Sequence, residues 1–112
     1  MKTMSVKSPY SDEIYEVNTI VGNYAAFGNL AIELFDVKEG PYACLTVNVA
    51  PLGDPTLAAV DTNNFTNAVD VIKEYGLGVD TGLRVQSGFC SYPVFKFDLN
   101  KVNEYALEEG ES

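Results

Sequence analysis

The chain contains no histidine and no tryptophan, only two cysteines, and seven lysines and arginines against sixteen aspartates and glutamates. Each scarcity closes a route. Without histidine neither a Ser–His–Asp nor a Cys–His arrangement can be assembled, and the commonest metal ligand is missing. Cys44 and Cys90 are too few for a disulfide scaffold and carry no CxxC or zinc spacing. They read as reduced, mostly buried thiols, or as one Cys44–Cys90 bridge should their strands be neighbours. No apolar run approaches the ~18 residues of a membrane span. Residues 1–7 lack the apolar core and cleavage site of a secretory leader. The expectation is a cytoplasmic protein with no membrane partner. A formal charge of −9 repels phosphate, so direct nucleic-acid binding is not expected either.

What is present suits one folded unit. The 112 residues are 46% hydrophobic and include seven Tyr and six Phe, enough apolar matter for a core. No linker or repeat divides the chain, so residues 1–112 read as a single domain. Residues 1–10 form an arm or an edge strand, and residues 108–112 are expected to fray. Residues 13–21 are rich in β-branched and aromatic side chains and read as a strand.

The clearest local signal is a hairpin. Its arms are residues 30–37 and 42–49, joined by a Lys38-Glu39-Gly40-Pro41 turn. Leu30, Ile32 and Leu34 share one face of the first arm; Ala43, Leu45, Val47 and Val49 share one face of the second. Pro51, Gly53 and Pro55 then open a loop. Asp61-Thr62-Asn63-Asn64 offers capping residues to a helix of about three turns, carried by Phe65, Ala68, Val69 and Ile72 and stopped at Gly76. Gly76, Gly78 and Gly82 predict a flexible loop. Residues 91–99 read as a strand in which Pro93 marks an edge position or a strand start. Asp98 caps a short closing helix. The whole predicts an α+β fold, an antiparallel sheet of about four strands packed on one main helix, with a short C-terminal helix.

Three motifs invite a chemical reading. Val79-Asp80-Thr81-Gly82 is similar to the Asp-Thr-Gly signature of retroviral-type aspartic proteases, where two aspartates share a proton. That family's preceding apolar strand and later apolar-apolar-Gly element have no counterpart here, so Asp80 reads as a turn residue. Gly76-x-Gly78-x-x-x-Gly82 has the wrong spacing for a phosphate loop and no following Lys-Ser/Thr. Asp61-x-Asn63 opens like a calcium loop, but the glycine and closing glutamate are missing. The reading is no catalytic, cofactor-binding or metal residues, no cofactor, and not an enzyme.

Charge and aromatics point instead to a binding surface. Between Ser8 and Ile72 stand nine acids and a single base, Lys38. The candidate partner-binding residues are Asp12, Glu13, Glu16, Glu33, Phe35, Asp36, Glu39 and Tyr42. Carboxylates spaced over a rigid sheet can occupy a basic groove meant for phosphates. Phe35, Tyr42, Tyr92 and Val94 fall opposite the core parity. They read either as covered by a helix or as an exposed patch for a partner.

Several stretches resemble a family of short acidic proteins carried by bacterial plasmids, conjugative elements and phages. They are Asn29-Leu-Ala-Ile-Glu-Leu, Gly40-Pro-Tyr-Ala-Cys-Leu-Thr-Val-Asn-Val, Asp61-Thr-Asn-Asn, Ile72-Lys-Glu-Tyr-Gly-Leu and above all Ser87-Gly-Phe-Cys-Ser-Tyr-Pro-Val-Phe-Lys-Phe-Asp-Leu. The resemblance brings no catalytic residues. Small acidic proteins of such elements include anti-CRISPR and anti-restriction factors. The resemblance therefore implies an inhibitor that binds a host DNA-acting defence protein, with the Cas9 nuclease as the suspected partner. The alternative is a non-catalytic accessory or regulatory protein of plasmid transfer.

Overall fold

The computed structural model describes residues 2–8 and 10–107. The order of elements is β1 (Met4–Lys7), β2 (Ile14–Asn23), β3 (Leu30–Asp36), β4 (Gly40–Cys44), β5 (Thr46–Val47), β6 (Leu57–Val60), α1 (Ala68–Tyr75), β7 (Gly78–Ser87), β8 (Cys90–Phe97) and α2 (Leu99–Asn103). All strand pairs are antiparallel. They form two sheets, in the orders β1-β2-β3-β4 and β5-β6-β8-β7.

The α+β class therefore stands, but the expected single four-stranded sheet on one main helix does not. There are two four-stranded sheets, and three local features account for the difference. First, the second hairpin arm is not one strand. The chain leaves the first sheet at Leu45, whose side chain is fully buried, and Thr46–Val47 begins the second. Second, β6 follows directly on the Pro51–Pro55 loop and is only four residues long, so the turn residues mask it. Third, the glycine-rich segment expected to be a flexible loop is β7, ten residues paired with β8. Gly78 is there because the backbones touch: a Cβ would lie 2.7 Å from the Lys96 carbonyl oxygen. Gly82, at φ 86°, sits in a bulge between Asp80 and Arg84.

Several local readings hold. β1 is an edge strand, its Met4 and Val6 buried. Gly76 ends α1 in the left-handed conformation at φ 64°, and Asp98 caps α2 by accepting from the Asn100 and Lys101 amides. The main helix begins later than expected, at Ala68, after turns in which Asp61 accepts from the Asn64 amide. Pro93 lies in an interior strand, one residue past the end of its pairing with β6. The expected fraying of residues 108–112 lies outside the described residues. Cys44 and Cys90 are both free and stand in different sheets.

The core lies between the sheets and against the helices. Leu34, Leu45, Val60, Phe65, Ile72, Phe95 and Val102 are among its buried members. Helix α1 also seals an exposed sheet edge. The Tyr75 hydroxyl accepts from the Ser5 amide and donates to its carbonyl, and Asn67 Nδ2 donates to the Lys7 carbonyl. Beyond the end of β1, residues 105–107 take over as the neighbour of β2. The Thr19 amide donates to Tyr105 O, and the Leu107 amide donates to Thr19 O. Both devices occupy backbone groups that an open edge would offer to another chain.

Candidate protein-binding face

Period-two alternation sorts the first sheet into an inner and an outer face. Val17, Leu30, Ile32 and Leu34 turn inward and are buried. Register places Lys7 beside Ile14, Glu16 beside Ser5, Asn18 beside Phe35, and Ile20 beside Glu33, which is itself beside Cys44. These residues make the outer face. Asn18 at its middle is fully buried, its Nδ2 donating to the Lys2 and Tyr105 carbonyls at 2.8 and 3.1 Å. Around it no helix covers the face among the described residues: Ile14 is 64% exposed, Lys7, Glu16 and Cys44 are exposed, and Ile20, Glu33 and Phe35 are half-buried. A hollow of about 240 Å³ lies at one end, between Ile14, Glu16, Val37 and Glu39. Another, of about 270 Å³, lies at the other end, between Ile20, Tyr24, Glu33 and Cys44.

The eight residues singled out in the sequence do not all reach this face. Glu16, Glu33 and Phe35 do, and Asp12, Glu13 and Glu39 stand exposed around its turn end. Asp36 turns inward, is buried, and accepts from the Lys38 and Glu39 amides at 2.8 and 3.2 Å, so it shapes the β3–β4 turn. Tyr42 also turns inward. A bulge between Leu34 and Phe35 pairs Phe35 with Pro41 and Leu34 with Ala43, leaving Tyr42 as the extra residue. Its ring packs 4.9 Å from Tyr15 and edge-on to Phe65 at 6.0 Å. Tyr92 and Val94 are buried, so these two do not form an exposed patch. Ile14 and Ile20 fall on the opposite parity to Tyr15, Val17 and Val21. That opposite parity gives β2 apolar side chains on its outer face as well.

Hydroxyls rather than bases hold the outer-face carboxylate nearest β1. Ser5 Oγ and Thr3 Oγ1 both donate to Glu16, and these bonds hold its carboxyl below the usual range. Tyr15 moves the other way: the Glu13 carboxylate beside it, then burial, raises its hydroxyl. Among the described residues no lysine or arginine lies within salt-bridge distance of Glu13, Glu16, Glu33 or Glu39. Burial and then Glu33 push the Cys44 thiol up, away from the reactive thiolate.

A pH dependence follows from the lowered carboxyls. Glu16 is lowered by its hydroxyl donors, Asp54 by Thr56, Asp80 by Arg84 and Glu104 by Lys2. A carboxyl with a lower pKa folded than unfolded stabilises the fold above the ordinary carboxylate range and loses that contribution as pH falls through it. The urea midpoint is expected to drop between neutral pH and about pH 3. Removing both donors to Glu16, with Thr3→Ala and Ser5→Ala, should make the drop smaller. An unchanged pH profile in the double variant would refute the role given to these hydroxyls.

The other motifs resolve into structure. Asp80 accepts from the Gly82 amide at 2.9 Å and from both terminal nitrogens of Arg84 at 3.1 and 3.2 Å. It is an ionised carboxylate organising the β7 bulge, as the turn reading had it. Asp61 is buried and caps the turn before α1. No group of three metal-ligating side chains occurs among the described residues, and none of their helices is long and apolar enough to cross a membrane.

Comparison with known proteins gives a family and nothing more specific. The chain belongs to the family described as a domain of unknown function, DUF4313, whose model matches residues 19–111. No curated protein and no solved structure matches it. The matched span takes in half of β2 and every later element, and hence Ile20, Glu33, Phe35 and Cys44 of the outer face but not Ile14 or Glu16.

Proposed function

We propose that the chain is a non-catalytic inhibitor, encoded by a mobile element and acting in the cytoplasm, that binds the basic surface of a host DNA-acting defence protein. Cas9 is the first candidate, a choice that rests on the sequence resemblance. One observation carries the mode of action. Exposed and half-buried apolar side chains on the outer face of the first sheet are surrounded by Glu13, Glu16, Glu33 and Glu39, none with a base within salt-bridge distance among the described residues. Desolvating apolar surface supplies affinity, and unbalanced carboxylates supply steering toward positive charge.

Titration of Cas9, with and without its guide and DNA, tests this. Charge reversal should spare Asp36, because the turn depends on it. Reversing Asp12 and Glu13, or Glu33 and Glu39, to Lys is expected to slow association at least about tenfold with little change in thermal midpoint. Binding should also weaken as salt rises, since exposed charges are screened beyond ~8 Å near physiological strength. Equal inhibition by wild type and both charge-reversed pairs would overturn the electrostatic mode. Absence of nuclease binding, with retained binding to a transfer-machinery protein, would favour the accessory role instead.

A further inference from the structure

The second sheet ends in an edge unlike the sealed β1 edge of the first. Strand β7 is last in its order, ten residues long and exposed along almost all of its length. The direction of its backbone groups follows from β8. The Phe97 amide donates to Thr56 O on the β6 side, so by alternation Phe97, Phe95, Pro93 and Ser91 turn their backbone groups away from β7. Their register partners Gly78, Asp80, Arg84 and Gln86 therefore turn theirs to the open side. None of those amides and carbonyls has a partner among the described residues.

The bulge does not break this row. It places its extra residues between Asp80 and Arg84, whose partners Phe95 and Pro93 are still two positions apart. The Gly82 and Leu83 amides inside it are taken locally, by Asp80 Oδ1 and Thr81 Oγ1. The outward positions are thus evenly spaced, and they are symmetric about Gly82. An antiparallel copy of β7, related by a two-fold axis through Gly82, sets Gly78 opposite Gln86 of the partner subunit and Asp80 opposite Arg84 of the partner subunit. Each pair is in position to exchange backbone hydrogen bonds.

Side chains match on both faces of such a ribbon. Asp80 and Arg84 share one face, where they already form an ion pair at 3.1 Å, and each would meet the opposite charge across the axis. On the other face Val79, 65% exposed, would meet the partner's Val85, which is half-buried. Gly82, on the axis, brings no side chain between the strands. Charge selects a second copy as the occupant. Residues 78–97 hold one acid, Asp80, and two bases, Arg84 and Lys96, in a chain with sixteen acids and seven bases. Copies that repel one another elsewhere meet here without net repulsion. A self-complementary strand is the isologous contact that a closed dimer needs, and closing it removes an edge open to indiscriminate pairing.

We infer that two chains associate through β7 about Gly82, joining their second sheets into one continuous sheet. This association is independent of the binding role proposed above. Sedimentation velocity of the full chain over a dilution series tests it, with a dimer expected at high concentration and a monomer on dilution. Gln86→Pro removes one outward amide and no bond to β8, and Val79→Lys sets a charge against the partner's Val85. Each should weaken association at least about tenfold while leaving the circular dichroism spectrum intact. Asp80→Arg and Arg84→Asp should each be monomeric alone, because like charges then face one another across the axis. Mixed in equal amounts they should form a heterodimer, since the two like charges of one chain then meet two of opposite sign. Should either charge variant fail to fold, Gln86→Pro and Val79→Lys decide. A wild type that is monomeric at every concentration, association unchanged by Gln86→Pro and Val79→Lys, or no recovery on mixing the two folded charge variants would each overturn the inference.

Discussion

Phe95→Ala is expected to destabilise the fold by about 3–5 kcal/mol, the usual cost of emptying a buried phenylalanine site. The side chain is fully buried on β8, opposite Ala58 on one side and Asp80 on the other. Its ring centroid lies 6.3 Å from that of Phe97, with the planes tilted by 38°. Strands β6 and β7 fix the backbone on both flanks, so the walls of the cavity cannot readily collapse inward. For a domain of this size the loss amounts to a fall in melting temperature of roughly 12–30 °C. Circular dichroism during heating measures it directly. Phe89→Ala supplies the control, since that side chain stands fully exposed beyond β7 and should change stability by no more than about 0.5 kcal/mol. Comparable losses from both substitutions would mean that Phe95 does not occupy the core.

Asn29→Ala is expected to cost about 2–4 kcal/mol for a different reason. Asn29 is buried, and its Nδ2 donates to Asn48 Oδ1 at 2.9 Å and to the Ala50 carbonyl at 2.7 Å. Its Oδ1 accepts from the Leu52 amide at 3.2 Å. One side chain thus ties the start of β3 to the segment between β5 and β6. Truncation leaves three partners without their bond, and a half-buried polar group without a partner costs more than the bond it once made. Asn29→Asp should not rescue it, because a carboxylate places oxygen against two acceptors. Urea denaturation of both variants decides. Wild-type stability in Asn29→Asp would show that the Nδ2 bonds contribute nothing.

Local chemistry was readable from the chain, and long-range partnership was not. Gly76 and Asp98 announce themselves because a left-handed stop and an N-cap are satisfied within a few residues. The Leu30–Leu34 alternation is likewise a property of one strand against one core. Val47, expected buried with Leu45, is only half-buried, because the two residues straddle the passage from one sheet to the other. Nothing local distinguishes a strand that continues from one that changes sheet. Tyr42 was assigned to the wrong side for a related reason, since one bulge inverts parity and bulges depend on the partner strand. Strand β7 hid behind glycines that serve a close backbone approach and a bulge rather than a mobile loop. Of the binding face, the carboxylates were visible as charge. Its apolar floor was not, because Ile14 and Ile20 gain meaning only once Phe35 and Pro41 are known to lie beside them.

The pairing of Thr19 with residues 105–107 has a consequence for how the protein is made. On the ribosome, β2 emerges well ahead of residues 105–107, and the whole intervening segment must be synthesised before this part of its edge finds its neighbour. The Asn67 and Tyr75 contacts that seal β1 also wait, for partners that lie 60 and 70 positions further along the chain. Until then the first sheet carries an unguarded strand edge in a crowded cell, the condition under which nascent chains pair wrongly. The density of carboxylates between Ser8 and Ile72 is then an asset during synthesis. Like-charged nascent chains on neighbouring ribosomes repel one another through the interval before the edge is closed.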